Sequence, residues 1–170
     1  DYTLELIQDK TRWNKLLAQS CNSNVFGRYE WGEVKSAQWQ IWRLAVFKKG
    51  TFQGGTQIQV KGNFLLRFGW ASCGVFLVGP QYLEGVTNAL IDYFKKGALF
   101  HYLRINFFDA ASGEFIFAVN ECPGLVASPT SVNSGYTVRF ALDQNFEQVE
   151  AMTANHRYYV KKAYRFETAA

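Results

Sequence analysis

Proline, cysteine, histidine and methionine are all scarce: the 170-residue chain holds three prolines, three cysteines, two histidines and one methionine. Each scarcity excludes something. Cys21, Cys73 and Cys122 are odd in number and far apart, so they form neither a disulfide framework nor a paired-thiol zinc site. They read as three buried or half-buried structural thiols in a reducing compartment, with the cytoplasm as the expected location. With only His101 and His156, metal-centred and histidine-dependent mechanisms have little to draw on. No run approaches the roughly 20 apolar residues needed to cross a bilayer, and no signal peptide is legible. The chain begins at Asp1 without a methionine, so its natural start is expected upstream. The glycine-rich phosphate loops, the H-E-x-x-H zinc motif and the G-x-S-x-G nucleophile elbow are missing. The acids Asp109, Glu114 and Glu121 are scattered, so nothing favours a hydrolase built on two facing carboxylates. There is no internal repeat and no low-complexity tract.

What is present is ordinary globular composition, 48% hydrophobic and 19% charged, in a chain long enough to bury one core. Aromatics reach 17%, with 15 Phe, 9 Tyr and 5 Trp, which implies an aromatic core or an apolar cleft. The charge is uneven. Of 18 Lys and Arg against 14 Asp and Glu, four cations fall between Asn155 and Phe166 with no acid among them. Removing Arg157, Lys161, Lys162 and Arg165 leaves 14 against 14, so this segment holds the whole net charge. Arg157, Lys161 and Arg165 recur every fourth residue and so share one face of a helix, with Val160 and Ala163 on its apolar side. Such a cluster on an otherwise balanced protein is a local anion site.

Along the chain, Thr3–Ile7 alternates as a strand, and Asp9 is placed to cap a helix running to about Gln19, with Trp13, Leu16 and Leu17 as its apolar stripe. A second helix is expected from Tyr29 to about Gln38. Ile41–Phe47 and Phe52–Val60 form a hairpin around Lys-Lys-Gly. Phe64–Phe68 and Val75–Val78 read as further strands, the latter stopped by Gly79-Pro80. Leu83–Lys96 is a helix with Val86, Leu90, Ile91 and Phe94 inward, ended by Gly97. Phe100–Phe107 is a strand, Ala111–Asn120 a helix, and Glu121–Gly135 the most loop-like stretch. A strand at Tyr136–Leu142 and a helix from about Asn145 follow. Helices bracketing a central meander point to an α+β or mixed α/β fold, because a doubly wound nucleotide fold needs a regular strand–helix alternation.

Binding chemistry is the remaining reading. Lys35 follows Trp31 by four residues, so the two share a helical face, and the bland expectation is a lysine stem lying on the indole. Gly79 and Pro80 end an apolar strand, where open sheets keep their sites.

These residues are where the chain resembles a known family. Phe26–Lys35 (FGRYEWGEVK), Ile41–Val46 (IWRLAV) and Gly54-Gly55 are similar to the opening of Fem-type aminoacyl transferases. Val78-Gly79-Pro80 resembles that family's strand ending in Gly-Pro, and Tyr102–Asn106 (YLRIN) its next core strand. Tyr136–Phe166 resembles its strand-plus-helix motif ending in an Arg, two aromatics and Lys-Lys-Ala. The resemblance implies a GNAT-like acyltransferase fold, normally present twice, with a central mostly antiparallel sheet flanked by helices. Residues 1–130 would be the first such domain and 131–170 the opening strand and helix of a second. It implies transfer of an amino acid from aminoacyl-tRNA to a stem-peptide amine of a UDP- or lipid-linked peptidoglycan precursor. Lys35, beside Trp31, would contact the precursor's diphosphate, and Arg157 and Lys161 phosphates of precursor or tRNA. The chain departs from the family at Arg28, where a Gln is usual.

Under this reading there is no cofactor, no metal and no DNA partner, and no catalytic residue is singled out. Peripheral proximity to a membrane is expected, without a spanning segment. Two other readings stand beside it. One is a single-domain acyl-CoA-dependent N-acyltransferase with acetyl-CoA as donor, which would need a backbone-amide cradle for pyrophosphate at a helix start, where Pro80 removes a donor. The other is a non-catalytic module that binds RNA or an anionic glycopolymer through the basic segment and Tyr158, Tyr159 and Tyr164.

Overall fold

The computed structural model describes residues 1–63, 65–97, 100–106, 125, 126 and 128. All but the last of these belong to the first of two compact units, Asp1–Ala127.

Local sequence accounts for most of the elements. The first strand, β1 (Tyr2–Leu6), leads to helix α1 (Lys10–Leu17), and the Asp9 carboxylate caps it by accepting the Arg12 N–H at 2.7 Å. Trp13 and Leu17 are its buried residues. A short 3-10 turn, Val25–Gly27, delivers the chain into α2 (Tyr29–Ser36). Strands β2 (Gln40–Lys48) and β3 (Thr51–Gly62) form the expected hairpin. Its two-residue turn has positive φ at both Lys49 (49°) and Gly50 (78°), the backbone that matches the strands' right-handed twist.

Strand β4 (Arg67–Ala71) and the two-residue β5 (Phe76–Leu77) both pair antiparallel with β3, one after the other, and the register slips between the Gln59↔Trp70 and Gly55↔Phe76 pairs. Ser72–Val75 therefore bulges out of the ladder. The Thr56 hydroxyl holds the bulge by donating to the Gly74 carbonyl at 2.8 Å, and the Gln57 N–H donates to Cys73 Sγ at 3.2 Å. Pro80 opens a 3-10 turn (Pro80–Tyr82) that runs straight into α3 (Leu83–Asp92), and the helix widens into a π-helical turn at Tyr93–Gly97. Finally β6 (Tyr102–Ile105) pairs parallel with β4. The sheet order is β1-β2-β3-β4-β6, with β5 beside β3.

Several expectations shift. The strand expected at Phe64–Phe68 begins only at Arg67, because the Asn63 side chain accepts the Leu65 and Leu66 amides and forms a turn there. The strand expected at Val75–Val78 shrinks to Phe76–Leu77, and that at Phe100–Phe107 to Tyr102–Ile105. Ile91 is half-buried rather than inward. Cys21, expected inside, is exposed. The elements expected beyond Asn106, and the proposed division near residue 130, lie outside the described residues. Among the described residues no helix is long and apolar enough to cross a membrane.

The two faces of the sheet are filled differently. Under α3, Leu44, Val46, Ile58, Val60 and Ala71 meet Val86, Leu90 and Phe94 in one apolar cluster. Each such buried aliphatic contributes about 1.5–3 kcal/mol through removal from water. On the other face α1 lays Trp13 and Leu17 over Ala45, Cys73 and Phe76. Trp13 meets Phe76 edge to face, with 5.4 Å between ring centroids. Beneath α2 the same face turns polar.

Candidate functional site

Strand alternation and register bring Arg43, Gln57, Gln59, Trp70 and Arg104 to the face that α2 covers. Gln59 donates to the Ser72 hydroxyl at 2.8 Å, which adds Ser72 to this row. Asn106 extends it, since its backbone N–H donates to the Ala71 carbonyl at 3.1 Å just beyond β6.

Buried polar groups must be paired, and the first half of this row is fully so. Arg43, 3% exposed, donates to Gln57 Oε1 (2.8 Å), to the Tyr29 carbonyl (3.1 Å) and to Glu33 Oε1 (2.8 Å). Its guanidinium also stacks on the Tyr29 ring at 3.6 Å. Gln57 donates to the carbonyls of Phe26 (3.0 Å) and Arg28 (3.1 Å), and Trp13 Nε1 donates to that of Gly27 (2.8 Å). The turn that launches α2 is thereby bolted to the sheet. Gly32 makes the close approach possible: a Cβ there would lie 2.7 Å from Gln57 Oε1 and 3.0 Å from Ile41 Cγ2.

The second half of the row is different. Trp31 Nε1, Trp70 Nε1 and Asn106 Nδ2 are buried and have no hydrogen-bond partner among the described residues. Glu33 and Tyr29 sit on the flank of α2 that meets Arg43 of β2, so the helical period turns Trp31 and Lys35 to the other flank. Three unpaired N–H donors, two indoles and one amide, therefore belong to one side of the sheet, with the Lys35 ammonium beside the Trp31 ring. Such a set suits a ligand that presents oxygen acceptors.

Of the residues expected from sequence, Trp31 and Lys35 come together: the lysine Nζ lies 5.0 Å from the indole centroid. Phe26 braces the same indole edge to face at 5.0 Å. Gly79 and Pro80 are not part of this row. They open α3, which covers the opposite face. Arg157 and Lys161 lie outside the described residues. Sequence reasoning missed Trp70, Asn106, Gln59 and Arg43. Arg43 and Gln59 were legible in principle as polar residues inside β2 and β3, where a fully apolar run would be the default.

Two features bear on chemistry. Burial pushes the Cys73 thiol up to about 11, against hydrogen bonds that favour its thiolate, so it is no nucleophile near neutrality. Along the outer edge of β5, the Leu77 N–H donates to Asn22 Oδ1 (2.8 Å), Asn22 Nδ2 donates to the Val75 carbonyl (2.9 Å), and the Cys21 N–H donates to the Leu77 carbonyl (2.8 Å). The loop after α1 thus already occupies that edge. At the start of α3, Pro80 has no N–H, and those of Tyr82 and Leu83 are committed to the carbonyls of Gly79 and Pro80. A depression of about 330 Å³ lies by Leu17, Asn24 and Arg28, and none of the unpaired donors lines it. Among the described residues no group of three or more His, Cys, Asp or Glu could hold a metal ion.

No family model and no curated protein matches the chain. Solved structures do. A ribosomal-protein-alanine N-acetyltransferase from Brucella melitensis biovar Abortus 2308 superposes with a TM-score of 0.53 at 17% identity, over 83% of this chain and 100% of that one. An aminoglycoside acetyltransferase from an uncultured soil metagenomic sample gives 0.54 at 13%, over 83% and 99%. The aminoglycoside 6'-N-acetyltransferase of Acinetobacter haemolyticus gives 0.50 at 11%, over 81% and 99%. At such identities the likeness establishes the fold, which is GNAT-like and α+β: a mostly antiparallel six-stranded sheet with helices on both faces.

Proposed function

We propose that this chain is an N-acyltransferase, moving an acyl group from an activated ester or thioester to an amine held on the α2 side of the sheet. The observation that carries the reading is the set of unpaired N–H donors, Trp31 of α2 with Trp70 and Asn106 of the sheet it covers, in a GNAT-like fold. Amine attack on an activated carbonyl depends on positioning and on donors to the developing oxyanion more than on a strong base. Buried N–H groups without partners are suited to both tasks, for they need not give up an existing bond when the ligand arrives. With Cys73 locked as a thiol, transfer runs directly from donor to amine, without an acyl-enzyme on that residue.

The three structural neighbours named above carry acetyltransferase names, which supports acyl-CoA as the donor over aminoacyl-tRNA. The second reading, aminoacyl transfer from tRNA to a peptidoglycan precursor with Lys35, Arg157 and Lys161 on phosphates, rests on the sequence resemblance. One local observation favours it: the start of α3 offers few free amides for a pyrophosphate, and the β5 edge is already taken by Asn22 and Cys21.

Incubating the full chain with labelled acetyl-CoA and a panel of amines, and in parallel with charged tRNA and a muropeptide, separates the two. Label on an amine in the first arm supports acyl-CoA; label on the muropeptide in the second supports the aminoacyl reading. No transfer in either arm overturns the acyltransferase assignment. In whichever arm is active, Trp70→Phe, which keeps the ring and removes the N–H, is expected to lower kcat/KM by about tenfold, the worth of one hydrogen bond.

A further inference from the structure

Nine large apolar side chains are exposed among the described residues, and four of them gather at one end of the sheet: Leu65 (67% exposed), Leu66 (51%), Phe68 (41%) and Tyr102 (53%). Phe68 and Tyr102 are register partners on β4 and β6, and the two leucines lie in the loop that enters β4. That loop is built to hold them outward. Asn63 Oδ1 accepts the amides of Leu65 (2.9 Å) and Leu66 (3.2 Å), and the Asn63 N–H donates to the Leu66 carbonyl at 3.1 Å. Gly62 turns the chain with φ 100°, where any Cβ would collide with the Leu66 carbonyl oxygen. On its other side the loop is clamped to the start of β6: the Arg67 N–H donates to His101 Nδ1 (3.1 Å), and the His101 N–H to the Arg67 carbonyl (3.0 Å).

Cations surround this apolar tip. Lys61 lies 4.4 Å over the Trp39 ring, and Arg67 lies 5.2 Å over Trp42 and 5.8 Å over Phe100. Phe100 stacks on Phe94, which brings the exposed Lys95 and Lys96 at the end of the α3 turn to the same end of the sheet. Segments 59–72 and 93–106, which converge here, contain no Asp or Glu; the nearest acid along the chain, Asp92, pairs with Lys96 at 3.3 Å. Compensation of a helix dipole accounts for Lys95 and Lys96, but for neither Lys61 nor the exposed leucines.

We propose that this end of the sheet docks on an anionic lipid surface. Leu65 and Leu66 enter the boundary of the hydrocarbon, Phe68 and Tyr102 sit at headgroup depth, and Lys61 and Lys95 face lipid phosphates, while Lys96 is paired with Asp92 at 3.3 Å. Cations predominate around a rigid apolar projection, with aromatic rings as a collar, which is the arrangement that holds peripheral proteins in a bilayer interface. The proposal does not depend on the acyltransferase reading.

Co-sedimentation of the full chain with vesicles of phosphatidylcholine plus phosphatidylglycerol, and with phosphatidylcholine alone, tests it. Binding is expected to the mixed vesicles, weaker to the neutral ones and weakened by salt. Leu65→Asp with Leu66→Asp should lower the partition coefficient at least tenfold, and Lys61→Glu severalfold. Thermal melting of each variant checks that the fold is kept, and the milder Leu66→Gln repeats the measurement should the double variant fail to fold. No binding to the mixed vesicles, or equal binding by wild type and the folded variants, overturns the proposal. So does a solution dimer that the same substitutions dissolve, which would assign the patch to a second copy of the chain.

Discussion

The two faces of the sheet spend the same β-strands on different ends. Under α3 the inward positions are mostly apolar, Thr87 being an exception, and Leu44, Val46, Ile58, Val60, Val86 and Leu90 are each 2% exposed or less. Under α2 the row runs Arg43, Gln57, Gln59, Ser72, also buried. The first face stabilises without directional demands, since apolar burial depends on area and packing. The second gains little net stability from each bond, yet it fixes geometry, because a buried polar group tolerates only the partners that satisfy it. Where that pairing is complete, at Arg43 and Gln57, it anchors the turn that starts α2. Where it is incomplete, at Trp31, Trp70 and Asn106, it leaves donors for a ligand.

The contrast can be broken most severely on the apolar side. Leu90→Ala, at a fully buried site, is expected to cost about 3 kcal/mol in chemical denaturation through lost transfer energy and a cavity. A loss below about 1 kcal/mol would mean this face is loosely packed. Arg43→Met on the polar face should cost less, about 2 kcal/mol: Gln57 Oε1 and the Tyr29 carbonyl lose their donor, while the half-exposed Glu33 turns to water. Equal losses from the two substitutions would erase the distinction drawn between the faces. Gly32→Ala should cost about 1–2 kcal/mol, since its methyl must displace the Arg43 and Gln57 head groups. It should disturb transfer more than stability, which paired melting and activity measurements would read.

A thiol reagent sharpens the comparison without changing stability. Exposed Cys21 should react in the native state and buried Cys73 only on unfolding, as peptide mapping of the labelled sites would show. Native labelling of Cys73 would mean that the bulge opens readily. The smallest effect lies at the surface. The Glu30 carboxyl is held down to about 2 by a hydrogen bond from its own backbone N–H, then by Lys10 at 3.0 Å and by Asn14. Its folded value lies below its ordinary 4.5, so its contribution is complete above that pH and is lost as the pH falls toward 2. An NMR titration of Glu30 should find this low midpoint, and Lys10→Ala should raise it.

Much of the scaffold was legible in the chain. The Asp9 cap, the Trp13 and Leu17 stripe, the Lys-Lys-Gly hairpin and the inward Val86, Leu90 and Phe94 are all local signals, read from spacing and turn chemistry, and all appear where expected. The Trp31–Lys35 contact is equally local, one helical turn apart. Strand limits were less legible: the Asn63 turn and the Ser72–Val75 bulge depend on how β4 and β5 meet β3, and so on pairing across the sheet.

What the sequence by itself determined is the set of elements, their order and the apolar face, because helical and strand periods are short-range. The α2 side was decided only by tertiary structure. Arg43, Gln57, Gln59, Trp70 and Asn106 come from four different segments, and each reads alone as an unremarkable polar or aromatic residue within or at the end of a strand. Register places them in one row, the close approach at Gly32 covers part of it, and burial turns the remaining N–H groups from solvated donors into unpaired ones. The exposed tip follows the same logic: Leu65 and Leu66 look like core residues in the sequence, and the Asn63 turn holds them in solvent.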